Sequence, residues 1–127
     1  MIRVTVKDIL NCSDVFKELS KKPIKIKVAY NIAKIIKAIE KENQLFEETR
    51  QRLLEKFCEK NENGSIKVNN NGNAIVRSEC VDDYNTEIKE LLESKVEITA
   101  EPIKLEDLET LELTPTQAYV ISEFIEE

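Results

Sequence analysis

Between Ile26 and Lys60 the chain has neither glycine nor proline, and its apolar residues recur at helical spacing throughout. The pattern predicts one helix of roughly 50 Å, several times the usual globular length. Its halves differ. In the first, Val28, Ala29, Ile32, Ala33, Ile35, Ile36 and Ile39 cover a broad arc, as in a helix packed on more than one side. In the second, Phe46, Leu53 and Phe57, with Leu45 and Leu54 beside them, form only a narrow stripe.

Shorter elements flank this rod. Ile2, Val4 and Val6 alternate, which predicts a strand over residues 2–6. A helix from about Ser13 to Ser20 is expected next, with Ser13 as N-cap and Val15, Phe16 and Leu19 inward, until Lys21-Lys22-Pro23 stops it. After the rod, Asn61-Glu62-Asn63-Gly64 suits the left-handed turn of a helix C-terminus. Ile66-Lys67-Val68 and Ala74-Ile75-Val76 flank Asn69-Asn70-Asn71-Gly72-Asn73, a β-hairpin pattern. A helix capped by Ser78 should run from Glu79 to Glu93, with the stripe Val81, Tyr84, Ile88, Leu91 and Leu92. Laid antiparallel on the rod, it sets Val81 against Phe57, Tyr84 against Leu53 and Leu54, and Leu91 against Phe46.

Lys95 to Thr99 alternates as a strand and should pair with residues 2–6. Pro102 breaks it, and an irregular stretch with Ile103, Leu105, Leu108 and Leu111 follows. Thr114-Pro115-Thr116-Gln117 carries a cap, a first-turn proline and a residue that can return the capping bond. The last helix should contain Ala118, Val120, Ile121, Phe124 and Ile125. The expected fold is therefore α+β: a long antiparallel helical hairpin with a β-hairpin at its end, plus a small sheet and short helices from the chain ends. It is read as a single domain, 1–127, with a base from 1–40 and 94–127. The helical arm spans 41–93, with the β-hairpin at 64–77.

Composition narrows the chemistry. Histidine is absent from the 127 residues, which removes Ser-His and Cys-His pairs and histidine metal sites. Two glycines leave no phosphate-cradling loop. Cys12, Cys58 and Cys80 are widely spaced and odd in number, which is no disulfide framework, and no pair has the close spacing of a zinc knuckle; they are expected as reduced, mostly buried thiols. Antiparallel packing of the two arm helices should bring Cys58 near Cys80. No catalytic residue, cofactor or metal is expected, and the chain is not read as an enzyme.

The net charge of −6 conceals a gradient. Residues 1–41 hold ten Lys/Arg against four Asp/Glu, and residues 79–127 hold three lysines against fifteen acids. The ends either fold together and cancel, the plainer reading, or leave an acidic face for a basic partner. Lys17, Lys21, Lys22, Lys25, Lys27, Lys34, Lys37 and Lys41 could meet phosphates, but the series has no arginine and few aromatics to stack bases. It is read as a solvated face, with no specific nucleic acid. The acids from Glu101 to Glu127 interleave with leucines at core-like spacing, which weakens a nucleic-acid-mimic reading. The loop Asn69 to Asn73 is either a contact or a plain connection. Residues 1–6 lack a signal peptide's apolar centre, and no apolar run reaches the ~20 residues of a membrane span. A cytoplasmic protein without membrane contact is expected.

Together, the Pro23-Ile24-Lys25 lead-in, the Ile35-Ile36-Lys37 core, the Asn63-Gly64 stop and the helix from Asp83-Tyr84-Asn85 to Leu91-Leu92-Glu93 resemble small phage and prophage proteins of low-GC Gram-positive bacteria, over roughly residues 20–100. That family has no assigned catalytic residues. The resemblance implies a binding protein in the host cytoplasm whose partner is a host or phage protein. It would inhibit or redirect a host protein such as a defence or replication factor. The alternative is a virion assembly or tail-associated component, and a homo-oligomer is compatible with both. The expected partner-binding residues are Tyr119, Glu123, Phe124, Glu126 and Glu127, an apolar and acidic set at the C-terminal region.

Overall fold

The computed structural model describes residues 1–126, and the fold is α+β as expected. Strand β1 (Ile2–Thr5) points Ile2 and Val4 inward and stops one residue early, because Thr5 turns the chain into helix α1 (Val6–Leu19). Thr5 Oγ1 accepts from Asp8 N–H at 3.1 Å, and Thr5 N–H donates to Asp8 Oδ2 at 3.0 Å. This reciprocal box satisfies two backbone donors at the helix start. The expected cap at Ser13 is therefore corrected: Ser13 lies mid-helix, where its hydroxyl donates to Ile9 O at 3.0 Å and accepts from Asn43 Nδ2 at 2.8 Å. Val6, Ile9, Cys12, Phe16 and Leu19 line the buried face of α1. Thr5→Ala should cost about 1 kcal/mol. Asp8→Ala should cost a similar amount and the double variant less than the sum, since both act in one box; urea midpoints of the three variants check this.

Helix α2 (Ile26–Phe57) follows without interruption. The chain divides into two compact units, Met1–Asn43 with Glu93–Glu127, and Gln44–Leu92, so α2 contributes to both. In the first unit Ile32, Ile35 and Ile39 are buried, whereas Ala33, expected within the same arc, is exposed. Strand β2 (Lys95–Ile98) pairs antiparallel with β1, Ile2 opposite Ile98 and Val4 opposite Val96, which puts four apolar side chains on one buried face. After β3 (Ile103–Lys104) and a 3-10 turn at Leu105–Leu108, helix α4 (Pro115–Val120) packs on α1. The last helix is shorter than the pattern predicted. It ends at Val120, a 3-10 turn carries Ser122–Phe124, and β4 (Ile125–Glu126) pairs parallel with β3.

The second unit holds a feature that the hairpin reading does not contain. Helix α2 ends at Phe57 rather than Lys60, because residues 58–60 leave it to pair with two later segments. Val68 bridges Ala74 as the hairpin requires, but Cys58 also bridges Val76 and Lys60 bridges Ile66. Glu59 N–H donates to Ile75 O at 2.8 Å, Lys67 N–H to Glu59 O at 2.9 Å, and Ile75 N–H to Lys67 O at 3.0 Å. The three segments thus close into a ring with an eight-residue step. Within each step the chain turns through the same bond: Gly64 N–H to Asn61 O, Gly72 N–H to Asn69 O, and Cys80 N–H to Arg77 O. Gly64 and Gly72 take φ of 86° and 80°, a region that a Cβ disfavours. Cys80 does not share it, and there the third turn winds into a 3-10 turn at Ser78–Cys80.

Helix α3 (Val81–Glu93) therefore starts two residues later than Ser78 capping would place it. Tyr84 consequently meets Phe57 edge to face, ring centroids 6.3 Å apart, and Val81 is left 40% exposed. Phe57 thus has Tyr84 as its ring partner, where the sequence pattern sets Tyr84 against Leu53 and Leu54. Lys56 Nζ lies 3.6 Å from Glu87 on the same side. The Arg77 guanidinium donates to Lys56 O at 2.8 Å and to Phe57 O at 3.4 Å, closing carbonyls that the end of α2 leaves open.

Candidate functional site

Among the described residues no polar or charged residue is buried, and no three His, Cys, Asp or Glu side chains gather as metal ligands would. No helix among them is long and apolar enough to cross a membrane. The polar and charged side chains among the described residues are therefore all at least partly exposed.

The expected partner-binding residues separate into two groups. Helix α4 forms because Thr114 Oγ1 accepts from Gln117 N–H at 3.1 Å while Gln117 Oε1 accepts from Thr114 N–H at 2.9 Å, with Pro115 in the first turn. On this short helix Tyr119 is 80% exposed. Phe124 is the opposite case. The turn closed by Phe124 N–H to Ile121 O at 2.9 Å sends Ile121 and Phe124 inward together. Phe124 meets Phe16 edge to face at 5.1 Å with no exposed surface. It is core, and its place in the expected interface is withdrawn. Glu123 and Glu126 are exposed, Glu126 standing in register with Lys104 across the β3–β4 pair. Glu127 lies outside the described residues.

A second surface escaped the sequence reading. On α2, Ile26, Tyr30, Lys34, Lys37 and Lys41 recur every three or four residues on the side opposite Ile32, Ile35 and Ile39. Ile26 is 82% and Tyr30 66% exposed, and Lys34 Nζ stands 4.9 Å from the Tyr30 ring centre. The signal lies in the spacing, since Ile26 and Tyr30 share one helical face with Lys34, Lys37 and Lys41. Beside this face lies a cleft of ≈ 490 Å³, bounded by Lys27, Tyr30, Asn31 and Lys34 on one side and by Thr99, Ala100 and Glu101 on the other. Asn31 holds its walls together: its Nδ2 donates to Glu101 O at 2.7 Å and its Oδ1 accepts from Glu101 N–H at 3.3 Å.

Ion pairs among the described residues do little to join the two ends of the charge gradient. Among the described residues the ion pairs are Arg3–Glu97, Lys21–Glu18, Arg50–Glu47, Lys56–Glu87 and Lys60–Glu55. Of these pairs, Arg3–Glu97 is the one that joins the basic residues 1–41 to the acidic residues 79–127. Lys27, Lys34, Lys37 and Lys41 form no ion pair with a described residue, and neither do Glu106, Asp107, Glu123 and Glu126. An exposed charge at this separation keeps its hydration and gains little from a distant opposite one.

The thiols follow burial. Cys12 is fully buried and Cys58 nearly so, while Cys80 is half-buried. Burial pushes the Cys12 thiol up from 9.0 to about 12, and it raises Cys58 in the same direction. The folded chain therefore keeps protons that the unfolded chain releases near pH 9. For Cys12 the stability is intact below that value and falls as pH rises toward 12, by up to ~1.4 kcal/mol per pH unit, and Cys58 acts in the same direction. Urea unfolding at pH 8 to 11 (~three steps) should show the decline, and Cys12→Ala should make it shallower. In the native state at neutral pH, a disulfide-exchange reagent should label Cys80 first.

Compared with known proteins, the chain matches no family model, no curated protein and no solved structure.

Proposed function

We propose that this is a non-catalytic protein-interaction protein of phage type, which binds a host protein and inhibits or redirects it in the host cytoplasm. The observation that carries the reading is Tyr119, 80% exposed on a helix held at its start by the Thr114–Gln117 box and followed at once by the core residues Ile121 and Phe124. A rigidly presented tyrosine loses little conformational freedom on binding and supplies a large amphipathic contact area, which is why tyrosine dominates interface hot spots. Glu123 and Glu126 on the same C-terminal segment, without ion pairs among the described residues, favour a partner surface that is basic around an apolar pocket.

Affinity capture from a host lysate tests this, with wild type, Tyr119→Ala and E123K/E126K compared at two salt concentrations. Tyr119→Ala should lose the captured host protein while keeping its melting temperature, and the charge reversal should remove the salt dependence. Identical capture by all three folded proteins would move the interface elsewhere. The reading of a virion assembly or tail-associated component requires contact between copies, and the unpaired basic face of α2 is the observation that favours it.

A further inference from the structure

We propose that copies of this chain associate head to tail, the acidic C-terminal segment around Tyr119 of one copy lying on the basic face of α2, at the Tyr30 cleft, of the next. The two surfaces are complementary in charge and in kind. One presents Lys27, Lys34, Lys37 and Lys41 around an exposed Ile26 and Tyr30; the other presents Glu123 and Glu126 with an exposed Tyr119. Neither set is neutralised by its own chain among the described residues, as the single Arg3–Glu97 pair between the two ends shows.

Geometry supports a definite seat. Lys27 and Lys34 are seven residues apart, about 10 Å along one helix face, and they bracket Tyr30. The cleft beside them, ≈ 490 Å³, is within the range of sites that enclose a large side chain or small ligand. Asn31, bonded to both backbone groups of Glu101, keeps its walls in place before anything binds. Because the donor and acceptor patches differ, the contact is heterologous, and repetition builds a ring or an open filament rather than a two-fold dimer. The inference goes beyond the host-binding proposal and is tested on the purified chain alone, so its failure leaves that proposal standing.

Sedimentation velocity over a concentration series should show reversible growth beyond the monomer at about 25 mM salt and its loss at about 0.5 M, where screening reaches within a few ångströms. K27E/K34E and E123K/E126K should each associate roughly tenfold more weakly, with melting temperatures close to wild type because all four positions are exposed. Mixing the two variants should restore association, since each supplies the face that the other lacks. Tyr119→Ala should weaken association as well. A wild-type chain that stays monomeric at low salt and high concentration overturns the proposal. So does association indifferent to both charge reversals, or a mixture that fails to recover it. A monomer that instead retains a short DNA duplex through Lys27 and Lys34 assigns the face to phosphates and also overturns it.

Discussion

Phe124→Ala should destabilise the fold by about 3–5 kcal/mol, the range for removing a fully buried phenylalanine. Its ring has no exposed surface and stands edge to face with Phe16 at 5.1 Å, so the variant loses burial, packing and a ring pair together. Against a total stability of about 5–15 kcal/mol for a typical domain, that is enough to leave part of the population unfolded. Tyr119→Ala, five residues earlier, should change stability by no more than about 0.5 kcal/mol, because most of that side chain already faces water. Urea unfolding followed by circular dichroism compares the two directly. Phe16→Ala should resemble Phe124→Ala, and the double variant should cost less than the sum, since the partners share one contact. Equal effects at positions 119 and 124 would contradict the placement of Phe124 in the core.

The second large effect concerns the three-segment ring. Gly64→Ala and Gly72→Ala should each cost about 1–2 kcal/mol, because both glycines sit at positive φ where an L side chain meets its own backbone. Nothing lies within 4 Å of a Cβ built at either position, so the penalty is conformational and not a clash with neighbours. Asparagine at either site should cost less than alanine, since it tolerates that region better. Cys80→Ala occupies the equivalent point of the third step without positive φ, and should carry no such backbone strain. Hydrogen exchange gives the sharpest readout. The amides of Glu59, Lys67 and Ile75 bond one another in a cycle, so either glycine variant should lower protection at all three. Loss confined to the altered turn would mean that the segments do not act as a ring.

That ring was only partly legible. Asn61-x-Asn63-Gly64 recurs eight residues later as Asn69-x-Asn71-Gly72, and this repeat was visible in the chain. The third step reads Arg77-Ser78-Glu79-Cys80 and shares none of those residues. Its equivalence is carried by backbone hydrogen bonds, Arg77 N–H to Phe57 O closing what Asn61–Ser65 and Asn69–Asn73 begin. Two matching steps resemble a helix stop followed by a hairpin, and only the third reveals a closed cycle. The start of α1 was missed for a different reason. Ile2, Val4 and Val6 keep a two-residue alternation, and Val6 is buried as the first helical residue just as it would be as the last strand residue. The deciding signal was Thr5 with Asp8, an aspartate form of the capping box.

By itself the sequence determined much that depends on residues a few positions apart. These are the long helix, from an unbroken helical period free of glycine and proline; the start of α4, from Thr114 and Gln117; and the inward and outward alternation within each of the two strands β1 and β2. Each rests on local sterics or local hydrogen bonds, which the order of residues specifies. The tertiary structure alone decided which aromatic residue is core and which is surface at the C-terminal end, because the turn at Ser122–Phe124 rotates Phe124 onto Phe16, more than a hundred positions away in the chain. It alone decided as well that Lys27, Lys34, Lys37 and Lys41 on one side, and Glu106, Asp107, Glu123 and Glu126 on the other, form no ion pair with a described residue. Ion pairing needs nitrogen and oxygen within a few ångströms, and the distance between side chains remote in the chain is set by packing rather than by composition.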